Sequence, residues 1–479
     1  MSRRILSTLV AGALLVAAQG CVKSSIPQLP KALDPEEGLL VARLYVPGLQ
    51  GLENASIDVD GSLRNSAMSD GYIAIPLQAG EHTLKKVRAE GHLLARAVER
   101  EAPIRLARGA AAPSYIYVPG SSRQIHYTTL SIDRTFRIEP GRITNLGLLV
   151  YLPVVEKSDT KKATANESRQ FNVVLVDNGA ETRSFLETNY PELVGSLQNR
   201  DLILAPAKYL PADKLPELRR AIAYHESRGP HVVASETTAV VYGRAGTLVA
   251  LSKGKTDPAQ PSVQVLDTGT LADILGGVRY GDRFTFVTSD GKVLTWEGGA
   301  VGQAALPGRS QPVGIYTVGA RGLMVVDNRM RIFTAREPGA PWEEYAGKLI
   351  DTPRSDIAVA SDAEGAYISL GTKDAPRSLS YLRAGASAPA TIPPPLPELG
   401  GSGPFFMVAR RAGLFVLYGS ESFLFLRKAD LRWNAHKKPE AQGCKPMRID
   451  DEGKEIVVEC GGGTYRSTDS GSTWIRPGV

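Results

Sequence analysis

The 479-residue sequence carries 56 lysines and arginines against 50 aspartates and glutamates, a formal charge of +6. Loss of residues 1–20 would remove Arg3 and Arg4, leaving 54 bases against 50 acids, or +4, spread along the chain. Such a balance lays down no basic stripe, so no nucleic-acid partner is expected, and the length accommodates two or three domains.

From residue 5 to residue 18 almost no polar side chain occurs. About 14 apolar residues are too few to cross a hydrocarbon core of roughly 30 Å as a helix. With Arg3 and Arg4 ahead of them, they read as a cleavable export signal over 1–20. No later run approaches the roughly 18 apolar residues of a spanning helix. Ala17, Ala18, Gln19, Gly20 and Cys21 follow. This run resembles the lipobox of bacterial lipoproteins, although Ala18 stands where leucine is usual and Gln19 is large for its place. The resemblance implies a lipid on Cys21 and a membrane anchor. Val22 after the cysteine, where aspartate would retain an enterobacterial lipoprotein, implies the outer membrane, facing the periplasm or the cell surface. Residues 21–38 are polar, contain proline and read as a tether.

Residues 39–152 read as a β-sandwich of short strands. The run 39–46 is apolar; Ala55, Ser56, Ile57, Asp58 and Val59 alternate and end in an Asp60–Gly61 turn. Further strands are expected at 71–77, 79–84, 114–118, 125–132 and 136–138. Ile57, Asp58, Val59, Asp60 and Gly61, then Gly71 and Tyr72, then Ala79, Gly80, Glu81, His82, Thr83 and Leu84 resemble the PEGA type of small surface-associated β-domain. The stretch from Phe136 to Gly147 is similar to the last strands of such domains in bacterial lipoproteins. The resemblance implies a fold and no activity.

Residues 153–170 are charged and poor in apolar side chains, as a linker is. A connector, 171–230, contains the β-type run 171–176 and helical patterns near 181–198 and 212–227. The second pattern puts Leu215, Leu218 and Ile222 on one face, the mark of a packing element.

From residue 231 to residue 479 the chain is again β-rich and repeats. Gly281, Gly322, Gly365, Gly413 and Gly453 recur in hairpin-like units 41, 43, 48 and 40 residues apart. A period of about 40 to 45 is one four-stranded propeller blade. The segment predicts about six blades, and a seventh if the run 171–176 supplies a closing strand. The whole chain is thus expected to be mainly all-β: a small sandwich, two short helices and a six- or seven-bladed β-propeller.

Two features lie near the end. Folding about Glu452 sets Cys444 and Cys460 directly opposite each other in a hairpin, within reach of a disulfide. An oxidising periplasm would close that bridge; two buried free thiols are the alternative. Ser467, Thr468, Asp469, Ser470, Gly471, Ser472, Thr473 and Trp474 match Ser-x-Asp-x-Gly-x-Thr-Trp. They resemble the Asp-box of sialidase-like propellers, with degenerate copies ending at Trp342 and Trp433. An Asp side chain can cap a turn, glycine supplies an unusual φ and tryptophan packs between blades. The box is structural where it occurs, so Ser467, Asp469, Gly471, Thr473 and Trp474 argue architecture.

No catalytic constellation emerges. A sialidase sets its first arginine in Phe/Tyr-Arg-Ile-Pro; here Phe136, Arg137, Ile138, Glu139 and Pro140 carry an inserted Glu139 and lie outside the propeller. Asp58 and Asp60 lack the further spaced ligands of a calcium loop. His82, His92, His126, His225, His231 and His436 fall in no metal-binding spacing, and no Gly-x-Ser-x-Gly elbow occurs. Pro393, Pro394 and Pro395 read as an inter-strand loop. No metal and no cofactor are expected. The expected function is a non-enzymatic scaffold or assembly factor for an envelope protein or glycan, held to the membrane by its lipid. Only in architecture does this resemble the lipoprotein propeller of the outer-membrane barrel assembly machinery and the Asp-box propellers that assist photosystem assembly. A surface glycoside hydrolase of sialidase-like type and a structural subunit of a secretion or appendage complex are the alternatives.

Overall fold

The computed structural model of the chain describes residues 29–45, 50–66, 71–93, 100–101, 113–114, 123–128, 134–153, 171–226 apart from 198, 232–252 apart from 236, and 262–476 apart from short intervals, the longest of them 346–355 and 393–404. The export signal, Cys21, residues 22–28 of the tether, residues 154–170 of the linker and Pro393 to Pro395 lie outside the described residues.

The first domain is built from β1 (Glu37–Tyr45), β2 (Gln50–Val59), β3 (Ser62–Ser66), β4 (Tyr72–Gln78), β5 (Gly80–Leu93), β6 (Arg123–Thr128), β7 (Arg134–Ile138), β8 (Ile143–Pro153), β9 (Phe171–Val176), α1 (Gly179–Asn189), α2 (Pro191–Ser196), β10 (Leu202–Leu204) and α3 (Leu215–Glu226). One sheet runs β9-β8-β1-β4, with β10 also on β8; the other runs β3-β2-β5-β6, with β7 also on β5. β1 and β8 pair parallel, which a hairpin cannot produce; the chain between them supplies β4 and the whole of the second sheet.

β1 is almost continuously apolar because it is covered on both faces. Leu40, Ala42 and Leu44 enter the core between the two sheets with Ile57, Val59, Ile73, Leu84, Phe136, Ile138 and Leu149. Leu39 and Val41 point the other way, to Phe185, Leu186, Leu193 and Val194 of α1 and α2. Tyr72 and Phe185 stack there, centroids 3.9 Å apart and 7° from parallel. The expected helix over 181–198 is two helices, because Pro191 has no N–H to continue α1 and instead opens α2.

The run 171–176 does not close a blade. It pairs antiparallel with β8 from Leu148↔Val176 to Pro153↔Phe171, so the connector belongs to the first domain's sheet. α3 lies between that sheet and the propeller. Leu218 and Ile222 pack with Tyr45, Leu148, Val150 and Val176, while Ala223 packs with Val241, Val249 and Leu251 of blade 1.

The rest of the chain forms six successive antiparallel sheets, and their first strands touch in sequence as the inner ring of a β-propeller. Blade 1 comprises Val232–Ala234, Thr238–Tyr242, Leu248–Ser252 and Ser262–Val265. Blade 2 comprises Ile274–Tyr280, Arg283–Thr288, Lys292–Trp296 and Gly302–Ala305. Blade 3 comprises Pro312–Val318, Gly322–Asp327, Ile332–Ala335 and Glu343–Glu344. Blade 4 comprises Asp356–Ser361, Gly365–Thr372, Ala375–Arg383 and Ala390–Ile392. Blade 5 comprises Phe405–Arg410, Gly413–Tyr418, Ser422–Arg427 and Arg432–Lys437. Blade 6 comprises Lys445–Ile449, Ile456–Cys460 and Gly463–Ser467, with Ile475 bridging to Arg466 in the fourth-strand lane.

Gly322, Gly365, Gly413 and Gly453 sit at the first hairpins of blades 3 to 6, and Gly281 lies outside the described residues. Gly365 and Gly413 are needed where the third strand crosses close by: a Cβ would lie 2.3 Å from the Leu382 carbonyl oxygen at the one and 2.0 Å from that of Leu426 at the other. Between blades the fill is apolar, for example Tyr242, Leu248, Ile274, Phe284, Phe286 and Trp296.

Candidate functional site

The propeller has two faces. One carries the turns between second and third strands and the connections from blade to blade; the other carries the first and third turns of every blade. The first domain covers part of the former, at residues 243–247 and 266–273.

Its grip on that loop is polar and buried. Arg43 of β1, 2% exposed, extends its Nη2 to 2.6 Å from Asp273 Oδ2, and its Nη1 donates to the Leu271 carbonyl at 3.3 Å. Glu181, in the first turn of α1, accepts the Leu271 N–H at 2.8 Å and the Thr270 hydroxyl at 3.2 Å. Arg219 of α3 donates to the carbonyls of Thr270 at 2.8 Å and Ala245 at 3.4 Å and lies 3.4 Å from Asp267 Oδ1. Both polar groups of the Leu271 peptide are thus held by the first domain. Aromatic rings flank the pair: the Arg43 guanidinium lies 5.0 Å from the centre of the Tyr72 ring, and that of Arg244, 3.7 Å from Asp273, lies 5.4 Å from the Tyr45 ring. Burial pushes the Tyr72 phenol up and the Arg219 guanidinium down from their ordinary values, with the Asp267 carboxylate partly restoring the latter.

The other face is stitched blade to blade. Tyr280 donates to the Gly322 carbonyl at 2.9 Å, Arg279 to that of Ala234 at 3.0 Å, and Arg410 to that of Ile449 at 2.8 Å. Between blades 4 and 5, Lys428 Nζ lies 2.6 Å from the buried Asp362 Oδ2 and 3.3 Å from Glu364. Burial would lower the Lys428 ammonium, but the Asp362 and Tyr381 contacts outweigh it and raise it.

In blade 6, Lys445 pairs with Glu459, which sets Cys444 and Cys460 opposite each other, and the two are disulfide-bonded. The following turn is built on Asp469. Its Oδ1 accepts the Ser467 hydroxyl at 2.7 Å and the Thr473 N–H at 2.8 Å, and its Oδ2 accepts the Thr473 hydroxyl at 2.6 Å. The Thr473 hydroxyl and N–H, then the Ser467 hydroxyl, hold the carboxyl at about 2. Gly471, at φ 89°, turns the chain and donates its N–H to Ser467 Oγ. Trp474 packs with Phe415, Ile456, Val458 and the two cysteines, at the seam of blades 5 and 6.

Phe136 and Ile138 are buried in the sandwich core and Arg137 is exposed on the opposite face of β7. Asp60 caps a hairpin: it accepts the Thr83 N–H at 2.7 Å and lies 2.6 Å from His82 Nδ1. Against the opposing effect of burial, these contacts hold its carboxyl below the usual value. Among the described residues no three potential metal ligands cluster, and no helix is long and apolar enough to cross a membrane.

The residues of the clasp escaped sequence reasoning, although Arg43 inside an apolar strand was a visible signal. No family model and no curated protein matches the chain. Solved structures similar to it include YCF48 bound to a D1 peptide, at 15% identity over 51% of this chain and 80% of that one, with a TM-score of 0.38. YCF48 from Cyanidioschyzon merolae gives 14% identity over 52% and 84%, TM-score 0.38. BamB from Moraxella catarrhalis gives 14% over 51% and 75%, TM-score 0.36. At this level of likeness the propeller assignment rests on the six sheets themselves.

Proposed function

We propose that the chain is a lipid-anchored protein of the bacterial outer membrane, tethered through Cys21, whose propeller serves as a non-enzymatic scaffold for an envelope protein or glycan. The observation that supports this reading is the buried Arg43–Asp273 clasp, which fixes the propeller on the first domain, the one that follows Cys21 in sequence. A propeller held in one orientation suits presentation of a surface. The Ser467 to Trp474 turn fits an Asp-box in its structural role, closing blade 6 against blade 5.

Envelope fractionation of wild type and Cys21→Ser, with crosslinking and pull-down from intact cells, tests the proposal. Wild type is expected in the outer-membrane fraction with a reproducible crosslinked partner, and Cys21→Ser in the soluble fraction. A Cys21→Ser protein that remains fully membrane-bound refutes the anchor; an absence of any partner adduct refutes the scaffold.

A further inference from the structure

We propose that the six blades form an open arc and that blade 6, its free end, is a thiol-controlled gate: a dithiol reductant that opens the Cys444–Cys460 bond lets blade 6 leave blade 5 and uncovers the apolar face beneath it. The inference goes beyond the scaffold reading and depends on neither the lipid anchor nor the partner.

In a closed propeller every blade is packed on both faces. The second strands of blades 2 and 3, Arg283–Thr288 and Gly322–Asp327, are buried residue after residue, as that requires. Leu414, Phe415 and Val416 in the second strand of blade 5 are buried in the same way. Blade 6 breaks the pattern. Along Ile456–Cys460 buried and half-buried residues alternate. Ile456, Val458 and Tyr465 pack with Phe415, Phe425 and Val408 of blade 5. On the opposite face Arg448, Val457 and Arg466 are register partners in one row across the sheet. Both arginines are exposed, and Arg466 pairs with Glu455 at 3.4 Å. A row with two guanidiniums faces water, because burying it under another blade would strip the charges of their hydration.

The corresponding face of blade 1 is already covered. Val240, Tyr242, Leu248 and Ala250 meet blade 2, while on the other face Val241, Val249 and Leu251 meet Ala223 of α3. α3 therefore lies on the face where a closing blade would pack. Among the described residues, no contact comparable with those between successive first strands returns from blade 6 to blade 1.

A terminal repeat with a single neighbour is the part of an array that opens most readily. The disulfide joins the first two strands of this terminal blade, and its cysteines are 7% and 4% exposed, so a reductant reaches them as the blade opens. The step is thiol–disulfide exchange. One thiolate of the dithiol attacks a cysteine sulfur and expels the other cysteine as a thiolate, and the second thiol of the reductant then displaces the first cysteine. The reductant leaves as a disulfide, and its two protons end on Cys444 and Cys460. Separation then bares the Phe415 and Phe425 rings, stacked with centroids 4.4 Å apart.

Hydrogen exchange of the full chain at neutral pH without denaturant, read by mass spectrometry, tests the gate. Dithiothreitol is expected to speed exchange in peptides spanning 445–467 at least about tenfold, to leave those spanning 238–252 in blade 1 within about twofold, and to increase binding of an apolar dye. Cys444→Ala/Cys460→Ala should exchange fast in the same blade 6 peptides with or without reductant. A bond that resists dithiothreitol without denaturant, acceleration spread evenly over all blades, or none in 445–467 overturns the gate. Two substitutions test the open arc itself. Val457→Lys, on the free face, is expected to keep the tryptophan-reported thermal midpoint within about 3 °C, and Val458→Lys, facing blade 5, to lower it by at least about 5 °C. Equal losses in the two variants would mean that blade 6 is packed on both faces, and overturn the proposal.

Discussion

Arg43 and Asp273, 230 residues apart in sequence, meet at 2.6 Å with 2% and 6% of their side chains exposed, and so join the central strand of the first domain to the start of blade 2. Removing one member of a buried pair strands the other charge and costs about 3–5 kcal/mol, far more than the pair's net worth. Asp273→Ala should lose that much, and Arg43→Ala a similar amount, because Arg43 also holds the Leu271 carbonyl. All four tryptophans, Trp296, Trp342, Trp433 and Trp474, lie in the propeller. Tryptophan fluorescence therefore follows the propeller, while far-ultraviolet circular dichroism follows the whole chain. Wild type should show coincident urea transitions and Asp273→Ala separated ones; coincidence in the variant would mean that the clasp does not couple the domains.

α3 makes the same join by apolar packing. Ile222 is fully buried against Leu148, Val150 and Val176. Ile222→Ala leaves a hole between two bodies and should cost about 2–5 kcal/mol, whereas exposed Arg220→Ala should stay within about 0.5 kcal/mol. Urea midpoints of the two variants check this. An Ile222→Ala protein as stable as wild type would show that the helix is a passive linker.

The features legible in the sequence were local ones. Gly365 and Gly413 repeat because, in blades 4 and 5, the backbone of the neighbouring third strand leaves no room for a Cβ. The opposition of Cys444 and Cys460 followed from counting residues about a turn. The run Phe171–Val176 announced a strand but not its neighbour: nothing in six apolar residues distinguishes a place beside β8 from one at a blade edge. Likewise Arg43, Glu181, Arg219 and Asp273 come from four separate elements, and no spacing rule connects them. Only the oddity of one arginine in Leu39, Leu40, Val41, Ala42, Arg43, Leu44 and Tyr45 hinted that a partner was waiting.

The disulfide closes a loop of 16 residues in sequence separation. Loop-closure entropy predicts about 3 kcal/mol for a loop of this size. Among the described residues blade 6 has one bridge in its fourth-strand lane where the other blades have strands, so the covalent link between its first two strands stands in for pairing that the blade lacks. Reduction with dithiothreitol, or Cys444→Ala/Cys460→Ala, should lower the tryptophan-reported midpoint, and the reduced wild type and the double variant should agree. A midpoint indifferent to reductant would show that blade 6 is held by its packing alone.

Asp469 makes the propeller's acid limb predictable in sign. Its carboxyl stands at about 2 in the folded protein against an ordinary 3.8, because the Thr473 hydroxyl and N–H and the Ser467 hydroxyl favour the charged form. A carboxyl depressed on folding stabilises in full above its unfolded value, and that contribution fades as pH falls through the folded one. The stability added by Asp469 should therefore be constant above about pH 5 and shrink between pH 4 and 2. Asp469→Asn cannot titrate, so the gap between wild-type and variant urea midpoints should be widest at neutral pH and close towards pH 2. The side chain is exposed, and the gap should be small beside that of the disulfide. A gap that widens on acidification would mean that the turn prefers the protonated acid, contrary to the three donors that face it.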